Sequence, residues 1–141
     1  MNYIYLITPF SAWLTCGCIK FFLNSLKARE FAITQIGYGG MPSNHSAIVS
    51  SMVSLIFFKE GINNPAFGVA LTLAFIVILD ANSLRKKIGE HAQEINNINN
   101  YKGKILRERI GHSRLEILIG CLVGTTISYI VIYFNIHKLL S

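Results

Sequence analysis

The residues of this chain that can do chemistry fall into three short runs and one isolated cation. In RIGHSRLEILIG (residues 109–120), His112 and Glu116 are four apart, so a helix would put them on one face. A carboxylate one turn from an imidazole holds it in one tautomer and stabilises its charged form. The plainer account is a surface His–Glu pair at a helix start. In GYGGMPSNHSA (residues 37–47), glycines permit unusual backbone angles and Pro42 suits the first turn of a helix. Ser43, Asn44 and His45 would then sit at a helix N-terminus, whose free backbone N–H groups attract anions. An ordinary capped helix start, with His45 at headgroup level, explains the same run. In DANSLRKKIGEHAQE (residues 80–94), Asp80 ends an apolar segment, where a carboxylate is costly unless it is paired or working. Arg85 and Lys86 follow, able to pair with it or to hold a phosphate. Lys86 and Glu90 fit a helix salt bridge, and His91 reads as a surface residue. Lys20 lies late in an apolar segment, either snorkelling to the interface or serving a ligand.

Taken together, two histidines, a paired carboxylate and several cations are the equipment for phosphoryl transfer that needs no metal or other cofactor. One imidazole attacks phosphorus, the other protonates the departing oxygen, and the cations neutralise the phosphate.

The elements that must position these groups are apolar. The chain has 141 residues, 52% of them hydrophobic and 14% charged, with a mean hydropathy of +0.45. Soluble domains carry about 25% charge. Four hydrophobic segments stand out, over residues 3–23, 42–58, 65–79 and 115–134. The first and last match the roughly 20 apolar residues of a transmembrane helix. The second and third are short or Ser-rich, which suits shielding by neighbours. Ser46, Ala47, Ser50, Ser51 and Ser54 are small enough for close helix packing. Leu84, Ile88, Ala92 and Ile95 recur at helical spacing and predict an amphipathic surface helix over 82–95. A loop over 96–103 and a short basic helix over 104–110 follow. The expected fold is all-α: one polytopic membrane bundle of about four spans, filling residues 1–141.

Cys16, Cys18 and Cys121 stand in apolar surroundings without a CxxC pair and read as small fillers. The N-terminal segment lacks a basic start and a small-residue cleavage site, and reads as an anchor rather than a signal peptide. Lys20, Lys27, Arg29, Arg85, Lys86, Lys87, Lys102, Lys104, Arg107, Arg109 and Arg114 fall on one side of four spans, against Lys59 and Lys138 on the other. The positive-inside rule makes the rich side cytoplasmic and puts both termini outside. The net charge of +6 is thus a topology signal, not a nucleic-acid footprint. The three chemical runs share the cytoplasmic side.

The PSNHS and GHSRLEILIG runs resemble the second and third signature motifs of the type 2 phosphatidic acid phosphatase superfamily, which includes the vanadium haloperoxidases. GGMPSNHSA, LDANSLRKKIGEHA and LRERIGHSRLEILIGCLVG are more closely similar to its small divergent membrane relatives, over about residues 15 to 130. The resemblance implies that core fold and a phosphohistidine mechanism, with His112 as nucleophile and His45 as general acid. Glu116 stands where the superfamily has Asp, Asn44 where it has Gly, and Gly120 on its later glycine. The motif arginine six residues before the nucleophile is Leu106 here, with Arg107 and Arg109 nearby. Of the first motif only Lys20 remains, followed by Lys27 and Arg29 without a proline. The expected phosphate ligands are therefore Lys20, Ser43, Asn44, Arg85, Lys86 and Arg109.

The implied activity is hydrolysis of a phosphomonoester or diphosphate on a phospholipid or polyprenyl-linked substrate. The site would face the cytoplasm from a bacterial inner membrane. Two other readings stay open: a transferase holding Mg²⁺ with Asp80, Glu90 and Glu94, and a non-catalytic scaffold or lipid carrier. Four short spans bury little surface around a polar site, so a homodimer is one way to enclose it.

Overall fold

The computed structural model describes residues 3–28 and 40–140. Arg29 and residues 37–39 of the glycine-rich run lie outside the described residues, as do the side chains of Lys27 and Lys138. Five helices follow in order: α1 (Ile4–Ala28), α2 (Asn44–Glu60), α3 (Pro65–Asn82), α4 (Leu84–Ile98) and α5 (Arg114–Leu140). The described residues contain no strand. Three stretches are long and apolar enough to cross a membrane: α1, α3 with its continuation α4, and α5. At 17 residues α2 is only about 25 Å long, against a hydrocarbon core of about 30 Å. It packs against α1, α3 and, most extensively, α5. The serines of α2 are polar because other helices, not lipid, receive them.

Local chemistry sets the ends. Helix α2 begins two residues later than Pro42, at Asn44, because Ser43 takes the N-cap and its hydroxyl accepts the Ser46 N–H. Gly61, at φ 81°, closes α2 with its N–H on the carbonyls of Ile56 and Phe57. Asn64 caps α3 through the Ala66 N–H at 2.9 Å, and Pro65 fills the first helical position. The Tyr5 hydroxyl donates to Glu60, and Lys59 lies 4.7 Å above the Tyr5 ring. The start of α1 therefore meets the end of α2, and Lys20 and Ser43 are left at the opposite end of the bundle.

The α2–α5 seam is built from small residues. A Cβ at Gly120 would stand 2.4 Å from the Ser43 carbonyl oxygen, and one at Gly124 2.2 Å from that of Ala47. Backbones approach this closely only where side chains are absent. The Ser50 hydroxyl reaches the Cys121 carbonyl at 3.2 Å, Ser54 pairs with Thr125 at 2.9 Å, and the Ser128 hydroxyl donates to the Ser51 carbonyl.

The polar segment forms an amphipathic helix, α4, with Leu84, Ile88 and Ile95 exposed and Gly89, Ala92 and Asn96 buried. One expectation for this segment is corrected. Residues 104–110 are not a helix but an extended strap along that small-residue face. The Asn96 side chain replaces the missing backbone ladder: Oδ1 accepts the Leu106 N–H at 2.9 Å, and Nδ2 donates to the Leu106 carbonyl and the Glu108 carboxylate, both at 2.8 Å. Gly89 admits the Glu108 carbonyl where a Cβ would clash at 2.1 Å. Once Asn96 satisfies Leu106 on both sides, a seven-residue helix, too short to stand alone, has no advantage. Asn96→Ala should leave two strap backbone groups unpaired, at about 1–3 kcal/mol each if they stay buried. Limited proteolysis should then cut within residues 99–113 faster than in wild type.

Candidate active site

His112 lies just before α5, not within it, so the expected shared helical face with Glu116 is replaced by a capping arrangement. The Glu116 carboxylate takes the Ser113 N–H at 3.0 Å, and the Ser113 hydroxyl takes the Glu116 N–H at 3.2 Å. This reciprocal capping box closes the first turn of α5. The same Glu116 oxygen lies 3.1 Å from His112 Nδ1. With the Nδ1 proton directed at Glu116, the Nε2 lone pair is left for chemistry. The backbone N–H of His112 donates to the Ala81 carbonyl at 3.1 Å, anchoring the strap to the end of α3. Burial pushes the His112 imidazole below the ordinary histidine range; the Glu116 hydrogen bond opposes this, and Lys20 and Arg85 add to it.

His45 is the second residue of α2 and interacts electrostatically with Arg85, His112, Lys20 and Asp80. One cluster therefore holds both imidazoles, from runs far apart in the chain. His45 Nδ1 and Asn44 Oδ1 are buried polar atoms with no hydrogen-bond partner among the described residues. Lys20 is turned inward at 9% exposure rather than snorkelling, within the electrostatic reach of Glu116 and Arg107. Ser43 is fully buried and spent on structure. Its N–H donates to the Glu116 carbonyl at 3.0 Å and its hydroxyl accepts from the Ser46 hydroxyl at 2.9 Å. The N–H expected to be free at that position is thus used to register α2 on α5.

The remaining cations divide into two sets. Arg85 acts electrostatically on both imidazoles, with its Nε 2.8 Å from the Asp80 carboxylate. Lys86 and Arg109, expected beside it, line a cavity of about 650 Å³ together with Arg114, Gln93, His112 and Glu116. Neither Lys20, His45 nor Arg85 lines that cavity. Glu90 pairs with Lys87 at 2.7 Å rather than with Lys86. Asp80, Glu90 and Glu94 do not gather: among the described residues no three His, Cys, Asp or Glu side chains are grouped to hold a metal.

Sequence reasoning passed over Ser113, although Ser113-x-x-Glu116 carries the capping-box signature. It also passed over Asn96, for which no local pattern signals a side chain that grips a strap ten residues on.

The sequence profile of the Divergent PAP2 family matches residues 1–127. A relative, the uncharacterized membrane protein YuiD of Bacillus subtilis (strain 168), is 31% identical over 114 residues, covering 68% of this chain and 72% of that protein. No solved structure matches.

Proposed function

The chain belongs to the Divergent PAP2 family, an integral membrane protein family, and from that premise we propose that it is a lipid phosphate phosphatase working through a phosphohistidine. The observation that carries the reading is the buried His112–Glu116 contact at 3.1 Å, held in one cluster with His45, Lys20 and Arg85. His112 Nε2 attacks phosphorus; the N–P bond forms as the bond to the leaving oxygen breaks. Glu116 stabilises the positive charge that develops on the ring. His45 gives its proton to the leaving alkoxide and then takes one from the water that hydrolyses the phosphohistidine. The dianionic substrate itself favours the protonated form of His45. Lys20 and Arg85 neutralise the equatorial oxygens. The released hydrogen phosphate dianion can donate to Asn44 Oδ1 and accept from His45 Nδ1–H, the two buried atoms otherwise without a partner among the described residues. The substrate is a phospholipid or polyprenyl-linked phosphate met at the cytoplasmic leaflet of a bacterial inner membrane, with no metal required.

The test is release of inorganic phosphate by the purified protein from phosphatidic acid, phosphatidylglycerophosphate and a polyprenyl-linked sugar phosphate, in buffer containing EDTA. No release from any of them would end the proposal. The pH profile adds a sign. A nucleophilic imidazole must be neutral, and His112 titrates below its ordinary 6.5. The acid limb assigned to the nucleophile in kcat/KM should therefore fall below pH 6.5. Glu116→Gln removes an interaction that raises this pKa, so the limb should move further to the acid side.

A further inference from the structure

The cavity beside the strap has an internal imbalance. Three carboxylates line it, and each is already engaged: Glu116 by His112 and Ser113, Glu108 by Asn96, and Glu90 by Lys87. Three cations line it as well, Lys86, Arg109 and Arg114, and none of them is in an ion pair among the described residues. Lys86 acts on Glu90 only electrostatically and more weakly than Lys87 does. With the Glu90 charge offset by Lys87, the three cations face only Glu108 and Glu116, and the balance left to a ligand is positive. Two of the cations are arginines, whose planar forks match the oxygens of a phosphate. At about 650 Å³ the cavity has room for a phosphate with a substantial organic group attached. Its wall includes His112 and Glu116, whereas Lys20, Arg85 and His45 are absent from it.

We propose that this cavity is a second anion site, taking a phosphate group other than the one placed between the two imidazoles. The phosphate comes either from a free soluble anion or from a second phosphate on the lipid headgroup. The proposal does not depend on His112 being a nucleophile, because occupancy can be read without turnover.

Lys86 and Lys87 are adjacent and both exposed, but only Lys86 lines the cavity. The full chain in phosphatidylcholine nanodiscs is labelled with an amine-acylating reagent, and each lysine is followed by mass spectrometry. Inorganic phosphate at ten times its dissociation constant should slow Lys86 labelling about tenfold by mass action, with Lys87 as the control. That outcome assigns the site to a free anion. Protection in phosphate-free buffer by phosphatidylglycerophosphate in the nanodisc, and not by phosphatidic acid, assigns it to a second headgroup phosphate. Arg109→Gln/Arg114→Gln should remove the protection; both side chains are exposed, so the fold should tolerate the change. Equal behaviour of Lys86 and Lys87 in every arm overturns the proposal, as does protection that survives the double substitution. Protection by phosphatidic acid that Lys20→Gln abolishes also overturns it, since one phosphate would then span a single joined site.

Discussion

His112→Ala should cut phosphate release from a lipid phosphate by about 10⁴–10⁶-fold, the loss seen when one member of a nucleophilic unit is removed. The protein should still purify as a folded helical bundle. Among the described residues the His112 ring makes one hydrogen bond, to a carboxylate that keeps a second donor in the Ser113 N–H. The backbone N–H that ties the strap to Ala81 survives the substitution. Glu116→Gln should be milder, about 10²–10⁴-fold, because an amide oxygen still accepts from Nδ1–H but no longer offsets the charge on the ring. If His112→Ala keeps the wild-type rate, chemistry lies elsewhere and the capping box is only a capping box. A circular-dichroism spectrum and a gel-filtration profile like those of wild type separate lost chemistry from lost fold.

Gly124→Val should be the most damaging change outside the imidazole cluster. Even its first added carbon would stand 2.2 Å from the Ala47 carbonyl oxygen and 2.4 Å from the Ser50 hydroxyl. The obstacle is main chain, so no side-chain rotation relieves it, and α2 must move off α5. Overpacking of this kind costs typically about 1–3 kcal/mol, with rigid sites at or above the upper end. The movement also breaks the registration of Ser43 on Glu116, so activity should fall together with stability. Gly17 is the matched control, with nothing within 4 Å of an added Cβ. Gly17→Ala should be neutral or slightly stabilising, since alanine is the better helix former by about 1 kcal/mol. Thermal unfolding in detergent, with phosphate release at each temperature, checks both. A Gly124→Val protein that unfolds with wild type would mean the seam is looser than its distances state.

What the sequence made legible follows from the range of each signal. The apolar segments became helices α1, α2, α3 and α5 because sustained hydrophobic runs survive any choice of neighbours. The small residues of α2 were readable as a packing face, and Gly120 and Gly124 receive them. Helix α4 was readable from its periodicity, but its buried face was not. In a soluble protein Leu84, Ile88 and Ile95 would be the core; beside a bilayer they can stay exposed while Gly89 and Asn96 take the protein contact. The strap was misread because what holds it is a side chain from another element, and nothing in residues 104–110 records that. In the candidate site, the spacing of His112 and Glu116 brought them together for a reason other than the one spacing suggested. Lys86 parted from Arg85 because consecutive helical residues point about 100° apart. Arg85 and Lys86 thus serve different walls.

The bond from His112 to Ala81 has a further consequence. Ala81 lies in the last turn of α3, a helix about 27 Å long whose sides are mostly open to their surroundings. Against a hydrocarbon core of about 30 Å such a helix is matched by local thinning of the bilayer rather than by tilt. The His112 main chain is tethered to the end of that helix, so a change in lipid chain length that shifts α3 shifts the ring with it.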